Sequence, residues 1–576
     1  MKKIFFSLLF LLLIQIASMA QWSNNSLSNT PVVKAGDEQT TPKIATCDTG
    51  YTYISWFSIE NGNYNVRLQR FEVHGIKQWD PIGLLISANP SMTWITDYSL
   101  VTDKQNNAIL SFQDIRSGYN NVYAYRIAPD GTEVWGDNGI ALSNGNYFEP
   151  YARIAVPQDN QAVFVWQRAF NSGTQMDALM LQKISPSGTL LWGASGKTLQ
   201  NSGLNYDWPD VVPSDSNSVI LVWTKAVSGL TAPRYIYAQR IDSLGNTMWA
   251  SDVPVNNTAG LPMGTTFSLI SDGSGGAFIG WFDDRTANHF RAFVQHIDKY
   301  GHVSMPANGA NLSTSATTQQ LYPNLAWLPE YNSLLCFYQE EDMNQNNSGL
   351  FGQRLNLNGQ VFWGASGKSF IPLSGKDIQF INARSADSSV LVAYMDETTI
   401  AGTLWAMRLD TAGAYLWATQ TVAMSSILTN KSYLAVGRYS NGQMIATWED
   451  HRGSDPGDIY GQNIKLNGTL GPVAVGIDEN PGDPAVPLSI GSLYPNPVKQ
   501  KAIINFTLGI RQHVTIQILD INGAICKTLL DQDMRPDTYQ TTWDGTNAGG
   551  NRMAPGVYLL RISCDSEVQT KKLVLQ

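Results

Sequence analysis

The chain has 576 residues, of which 43% are hydrophobic and 15% charged, and a net charge of −9 at pH 7. That length exceeds a single ordinary domain, and the apolar content excludes a disordered chain. The negative balance leaves no basic face to neutralise phosphates, so no nucleic-acid partner is expected.

Lys2 and Lys3 precede an apolar run over 4–16, and Ser18-Met19-Ala20 supplies small residues for cleavage. This is the pattern of a secretory signal peptide over 1–20, with the mature chain starting at Gln21. No later stretch approaches the ~18 apolar residues of a membrane helix, so no transmembrane segment is expected after signal cleavage. The four cysteines, Cys47, Cys336, Cys526 and Cys564, are too sparse to be the main support of an exported fold. Cys47 and Cys336 are expected as small buried hydrophobes; Cys526 and Cys564 are close enough in sequence to be a possible pair.

From Trp22 to Pro472 one pattern recurs: a strand ending in a basic residue, a turn carrying Gly, and an aromatic four residues after that Gly. The Gly stands at 75, 131, 188, 245, 301, 359, 413 and 468; Trp79, Trp135, Trp192, Trp249, Trp363 and Trp417 follow it, with Met305 and Pro472 in the two degenerate copies. A second aromatic ends the second strand of each copy, at Trp56, Phe112, Trp166, Trp223, Trp281, Phe337, Tyr394 and Trp448, spaced 54 to 58 residues apart. Two landmarks sharing one period mark a repeat protein. Each copy holds four short runs bounded by Asn, Asp, Gly and Pro, the signature of strands and turns with no helix between. The expectation is an all-β chain: a β-propeller over 21–475 with repeats of about 56 residues, eight-bladed, or seven-bladed with a divergent end copy. Trp22 lies 57 residues before Trp79, in the fourth-strand position of a copy whose other strands are missing. The N-terminal strand is therefore expected to complete the last blade and close the ring, which removes exposed sheet edges.

Within the repeats, aromatic-x-Asp-x-Arg occurs as Phe112…Asp114…Arg116, Trp281…Asp283…Arg285 and Trp448…Asp450…Arg452. These loops between second and third strands share a rim with the connections from fourth strand to first. They are candidate ligand-facing residues, with Arg forks suited to carboxylates or sugars. Equally, each Asp caps its turn and pairs with its Arg, and recurrence favours that structural role. The basic residues before the Gly turns (Arg70, Arg126, Lys183, Arg240, His296, Arg354, Arg408) are expected between blades. No zinc helix, Cys/His metal spacing, nucleophile elbow or phosphate-binding loop occurs, so no catalytic residue, cofactor or metal is assigned. Acids over 450–458 leave Ca²⁺ possible, although their spacing matches no EF-hand. Paired carboxylates drawn from separate repeats also remain open.

After Pro472, residues 476–491 read as a linker. Alternating runs over 502–507, 514–519, 525–530, 557–562 and 571–575, with a hairpin signal at Asn522-Gly523, predict a small immunoglobulin-like β-sandwich over 492–576. Tyr494-Pro495-Asn496-Pro497, then Trp543-Asp544-Gly545-Thr546-Asn547, Gly556-Val557-Tyr558 and Lys571-Lys572-Leu573-Val574 resemble the type A C-terminal sorting domain of the Bacteroidetes type IX (Por) secretion system. The stretch 543–558 also resembles the immunoglobulin-like module of flagellar-hook capping proteins. The sorting resemblance implies passage through the periplasm, the type IX machinery as partner, and a secreted or outer-membrane surface location. It says nothing of the propeller's activity. For the body, the expectation is a binding or adhesion protein recognising an extracellular glycan or protein; the alternative is a polymer-degrading glycoside hydrolase or lyase with acids contributed by several blades.

Overall fold

The computed structural model describes residues 21–91, 97–170, 175–227, 229, 232–262, 267–286, 289–398, 401–452, 456–473, 488–494, 496–508, 512–534, 537–564 and 568–576. The signal peptide read over 1–20 and the part of the linker over 476–487 lie outside these residues. Contacts divide the chain into two units, one ending at Pro472 and the other starting at Val473. Both are built of strands; the one helical element among the described residues is a short turn, Pro329–Tyr331. No helix among them is long and apolar enough to cross a membrane.

The first unit is propeller-like and contains, among the described residues, eight four-stranded antiparallel sheets. The first sheet runs Gln39–Thr46, Thr52–Glu60, Asn63–Phe71 and Leu84–Ser87, each strand beside the next. Six sheets repeat this order, their inner strands being Ser99–Thr102, Arg153–Ala155, Asn205–Pro213, Ser268–Ser271, Thr318–Leu328 and Asp377–Ala386. The middle strands are largely buried because neighbouring sheets cover both faces: Ala108–Asp114 and Val219–Ala226 are buried throughout, polar residues included.

The eighth sheet is made from both ends of the unit. Lys431–Val436, Gln443–Asp450 and Asp458–Lys465 come from one end, and Thr30–Val33 pairs with Asp458–Lys465 as the fourth strand. Each inner strand packs against that of the next sheet, and the eighth's packs against the first's. Trp22, Val32, Ile445 and Ile459 of the eighth sheet share a core with Ile54, Trp56 and Phe71 of the first. Arg438 Nε and Asn441 Nδ2 donate across the same seam to the carbonyls of Thr46 and Thr49, both at 2.6 Å.

The turn tryptophans staple one repeat to the following one. Trp135, Trp192 and Trp249 donate their indole N–H to Pro186, Ser243 and Lys299 carbonyls, each at 3.1 Å. Trp22 makes the same bond to Val73, at 3.2 Å. At Gly75, φ is +93° and an added Cβ would lie 2.4 Å from the Trp22 backbone nitrogen, so only Gly admits this approach. The basic residues before the turns make two kinds of contact. Arg70, Arg240, Arg354 and Arg408 donate to the next repeat's turn carbonyls, at 3.5, 2.9, 3.2 and 3.0 Å. Arg126, Lys183 and His296 pair within their own repeat with Asp103, Asp159 and Asp272, as Arg240 also does with Asp215. In the sixth sheet the strand register places Tyr338, not Phe337, at the Trp56 position, since Asn324 pairs with Phe337 as Lys43 pairs with Ser55.

The second unit has a three-stranded sheet (Leu488–Tyr494, Ala502–Leu508, Asp537–Trp543) and a four-stranded one (Ile525–Met534, Gln512–Leu519, Gly556–Cys564, Val568–Leu575). Residues 488–491 thus belong to a strand. Both sheets contribute to one core, including Ile504, Phe506, Ile516, Ile518, Trp543 and Leu560. Cys526 and Cys564 are not joined, and Cys47 and Cys336 are buried thiols; burial pushes the Cys47 thiol up to about 11.

Candidate binding rim and channel

The three Asp-x-Arg pairs sit at one rim, where second strands end. Each is closed on itself. Arg116 Nε donates to both Asp114 oxygens at 2.9 Å, its Nη1 to the Asn138 carbonyl at 2.8 Å, and its plane lies 3.8 Å from the Tyr123 ring. Arg285 repeats the arrangement with Asp283 (2.9 Å), the Asn308 carbonyl (2.9 Å) and Phe293 (3.7 Å). Arg452 does so with Asp450 (2.8 Å), Asn29 (2.7 Å) and Tyr460 (3.8 Å). The Trp281 and Trp448 indoles donate to Asp283 and Asp450 at 2.8 and 2.9 Å, so these buried carboxylates are fully engaged. In the loop where Ca²⁺ was considered, Asp450 is committed in this way, and Gly453, Ser454 and Asp455 lie outside the described residues.

A feature of the inner strands lies at the same rim. Five of these strands shift register near their start, and a non-glycine residue there takes positive φ: Thr41 (54°), Trp208 (53°), Tyr322 (51°), Phe380 (49°) and Tyr433 (53°). Tyr151 (61°) holds the equivalent place two residues before Arg153. Asp97 occupies this position in the second sheet, and Thr266, its counterpart in the fifth, lies outside the described residues. Left-handed backbone at bulky residues costs energy and persists only where surrounding structure imposes it. Of the seven described residues at this position, five are aromatic. Tyr322 is 60% exposed, Phe380 38% and Tyr433 37%.

The channel-facing charges differ between the two halves of the unit. On the first four sheets they are mutually paired: Asp97 meets Lys43 and, at 2.8 Å, Arg153, while Asp210 adjoins Arg153. Burial alone would raise Asp97, but Arg153 and Lys43 hold it at about 2. A small cavity of about 50 Å³ is lined there by Tyr151, Arg153, Trp208, Asp210 and Phe267. Tyr151 lies 5.8 Å from Trp208, whose other neighbour is the Arg234 guanidinium at 4.1 Å. Beside them Gln167 Nε2 donates to both Asp177 (3.0 Å) and Asp207 (2.7 Å), drawing two carboxyls of adjacent sheets together. Burial and then the Asp177 charge push Asp207 up to about 7. Around the fifth to seventh sheets a larger cavity of about 550 Å³ is lined by Ser268, Asp272, Asn324, Trp327, Arg384 and Ser385, among others.

The Asp207 shift has a defined sign. A carboxyl raised from 3.8 to about 7 favours the protonated folded form, so its stabilisation is full below the unfolded value and is lost as pH rises through about 7. Asp207→Asn should therefore gain stability relative to the wild type between about pH 4 and 7 and hold that gain above it. Urea midpoints of both proteins near pH 5 and near pH 8 measure this; the same difference at both pH values would contradict the shared proton.

In the second unit the sorting-motif residues converge. Asn496 Oδ1 accepts from the Val574 N–H at 2.9 Å and its Nδ2 donates to the Lys572 carbonyl at 3.0 Å, so the start of the unit clasps its last strand. Trp543 is fully buried, edge-on to Tyr558 at 5.6 Å, and donates to the Thr546 carbonyl at 2.9 Å. Tyr558 Oη donates to the Ala554 carbonyl at 2.8 Å, and Gly556 pairs with Leu575 in the ladder. Lys571 and Lys572 are exposed on the final strand. Pro495 lies outside the described residues, as does the side chain of Tyr494, whose backbone pairs with Ile503.

The rim aromatics escaped the sequence reading, although Tyr151, Trp208, Tyr322, Phe380 and Tyr433 follow nearly the repeat period. They precede short strands in segments of uneven length, where alternation gives no signal. No curated protein matches the chain. Among solved structures it is similar to polysaccharide lyase Uly1 (10% identity, TM-score 0.40, 78% of this chain and 92% of that one). It is also similar to an α-L-arabinanase of Penicillium chrysogenum complexed with arabinobiose (12%, 0.32, 56% and 94%). A third is PorZ, a surface component of the type IX secretion system of Porphyromonas gingivalis (11%, 0.27, 94% and 82%). Likenesses at this level carry no argument about ligand or activity. Residues 492–576 match the model of the secretion system C-terminal sorting domain, and through that domain the chain is a protein exported by the type IX system to the outside of the cell and its surface.

Proposed function

We propose that the exported body is an eight-bladed β-propeller closed by its N-terminal strand, and that its rim binds an extracellular glycan. The same reading takes 1–20 as a cleaved signal peptide, 21–475 as the propeller, 476–487 as linker and the following strands through 576 as an immunoglobulin-like sorting domain. The observation that supports glycan binding is the recurrence of Tyr151, Trp208, Tyr322, Phe380 and Tyr433 at one left-handed position around the rim. Flat aromatic faces suit the apolar faces of sugar rings, and polar groups beside them supply orientation. The Asp-x-Arg pairs, already satisfied within the chain, serve the scaffold under this reading.

The mature protein titrated against a panel of polysaccharides tests it. The Tyr322→Ala, Phe380→Ala double variant should weaken binding at least about tenfold, or about 1.4 kcal/mol, while melting near the wild-type temperature. Unchanged affinity in that variant would remove the rim from the binding site. The Asp177–Asp207 pair favours a second reading, hydrolysis or elimination on a glycan, since Asp207, pushed up to about 7 by burial and then by the Asp177 charge, can exchange a proton with substrate. Reducing-end or unsaturated-product assays run beside the titrations separate the two: turnover that Asp207→Asn abolishes without loss of binding establishes the enzyme.

A further inference from the structure

The larger cavity carries a cation of its own. Arg384 lies on the seventh sheet's inner strand, four residues after the rim aromatic Phe380, and lines the cavity of about 550 Å³. Its Nη1 donates to the Ala383 carbonyl at 2.8 Å, and its Nη2 to the Val436 carbonyl at 2.7 Å and Asn382 Oδ1 at 3.3 Å. All three acceptors are neutral, and a guanidinium carries about five N–H donors. Among the described residues no carboxylate pairs with it. Burial lowers it to about 10, so it remains a cation at neutral pH. The acid in the same lining, Asp272, is committed to its own turn: it accepts from the Ser274 and Gly276 N–H groups at 2.7 and 2.8 Å and meets His296 Nε2 at 3.0 Å. On the opposite half, Lys43 and Arg153 both pair with Asp97, and Asp210 also adjoins Arg153.

We infer that the cavity of about 550 Å³ around the fifth to seventh sheets takes the anionic substituent of an acidic glycan, carboxylate or sulfate, with Arg384 as its counter-ion. This rests on the glycan-binding reading and names the class of glycan. Tyr322, Phe380 and Tyr433 stand on the sixth, seventh and eighth sheets; Asn324 and Asn382 follow two of them by two residues on the same strands. A sugar stacked on this arc thus has amide groups and then a guanidinium along the path into the cavity. The cavity's size suits one or two sugar units. A planar guanidinium pairs with either a carboxylate or a sulfate through parallel N–H donors.

The test uses the mature full-length protein with three polymers: polygalacturonate, a heparin-type sulfated polysaccharide, and a neutral β-glucan. The wild type should bind one acidic polymer at least about tenfold more tightly than the neutral one, with an affinity that falls as salt rises; which acidic polymer does so separates carboxylate from sulfate. Arg384→Gln should erase this preference, and Arg384→Lys should keep part of it. Equal wild-type binding to neutral and acidic polymers overturns the inference without needing any variant, and leaves the glycan reading standing. A folded Arg384→Gln protein that retains the preference also overturns it. Failure to bind any polysaccharide overturns both.

Discussion

Deleting residues 492–576 should abolish appearance of the protein at the cell surface and leave the body in the periplasm. The segment has its own core, and it carries the export address. Surface protease accessibility and fractionation measure the loss, which should be complete; ordinary surface display of the truncated chain would refute the assignment. Point variants divide address from core. Trp543→Ala removes a fully buried indole and should cost about 3–5 kcal/mol, unfolding the unit. Lys571→Ala with Lys572→Ala alters exposed positions of the last strand, and should leave the fold intact while reducing export.

The largest effect on stability is expected at the seam. Trp22→Ala removes a side chain that is 1% exposed, stacks on Phe71 at 5.1 Å and hydrogen-bonds to Val73 of the first repeat. Truncating a buried aromatic of this size costs about 3–5 kcal/mol. The cost should exceed that of Trp192→Ala, which removes an equivalent rung from the interior of a continuous array. At the seam, the Thr30–Val33 strand is held by its pairing and by this anchor, and its release bares the Asp458–Lys465 edge to other chains. A lowered melting temperature accompanied by concentration-dependent association is therefore the expected result. A Trp22→Ala protein as stable as wild type would show that the eighth sheet closes without its anchor.

Much of this architecture was legible because each copy repeats its errors and its successes alike. The Gly turn and its Trp recur at fixed spacing since each must approach the following repeat's backbone, and that geometry tolerates little substitution. Trp22 could be placed in register before any strand around it was visible. The buried glutamines that organise the turns were not noticed: Gln69, Gln182, Gln239, Gln295 and Gln353 each accept from the N–H of the next residue and from that of the turn aromatic or Met305, as Gln182 does from Lys183 (2.9 Å) and Trp192 (3.1 Å). Gln beside Arg or Lys reads as surface polarity until the turn folds over it. The one-residue displacement at Tyr338 has a similar origin, since two adjacent aromatics are equivalent by composition and only the ladder register tells them apart. At the candidate site, Asp114, Asp283 and Asp450 were found with their arginines because those residues are neighbours in sequence. The partnership of Asp177 with Asp207, and the lack of one at Arg384, arise between sheets, where spacing along the chain carries no information.

The clasp between the two ends of the body has a consequence for its topology as an object. Gly471 approaches Asn24 so closely that an added Cβ would lie 2.8 Å from the Asn24 Cβ, and Gly471 is itself held by Asn463 through bonds of 2.6 and 3.0 Å. The entry and exit of the path are therefore side by side, and the covalent break between them is only one of several places at which the succession of sheets can be opened. Chains whose ends meet in this way tolerate circular permutation. Joining 472 to 21 and opening the connection before the Ser99–Thr102 strand would carry the seam a full sheet along, exchanging a stitched closure for a bonded one while every rim aromatic keeps its place.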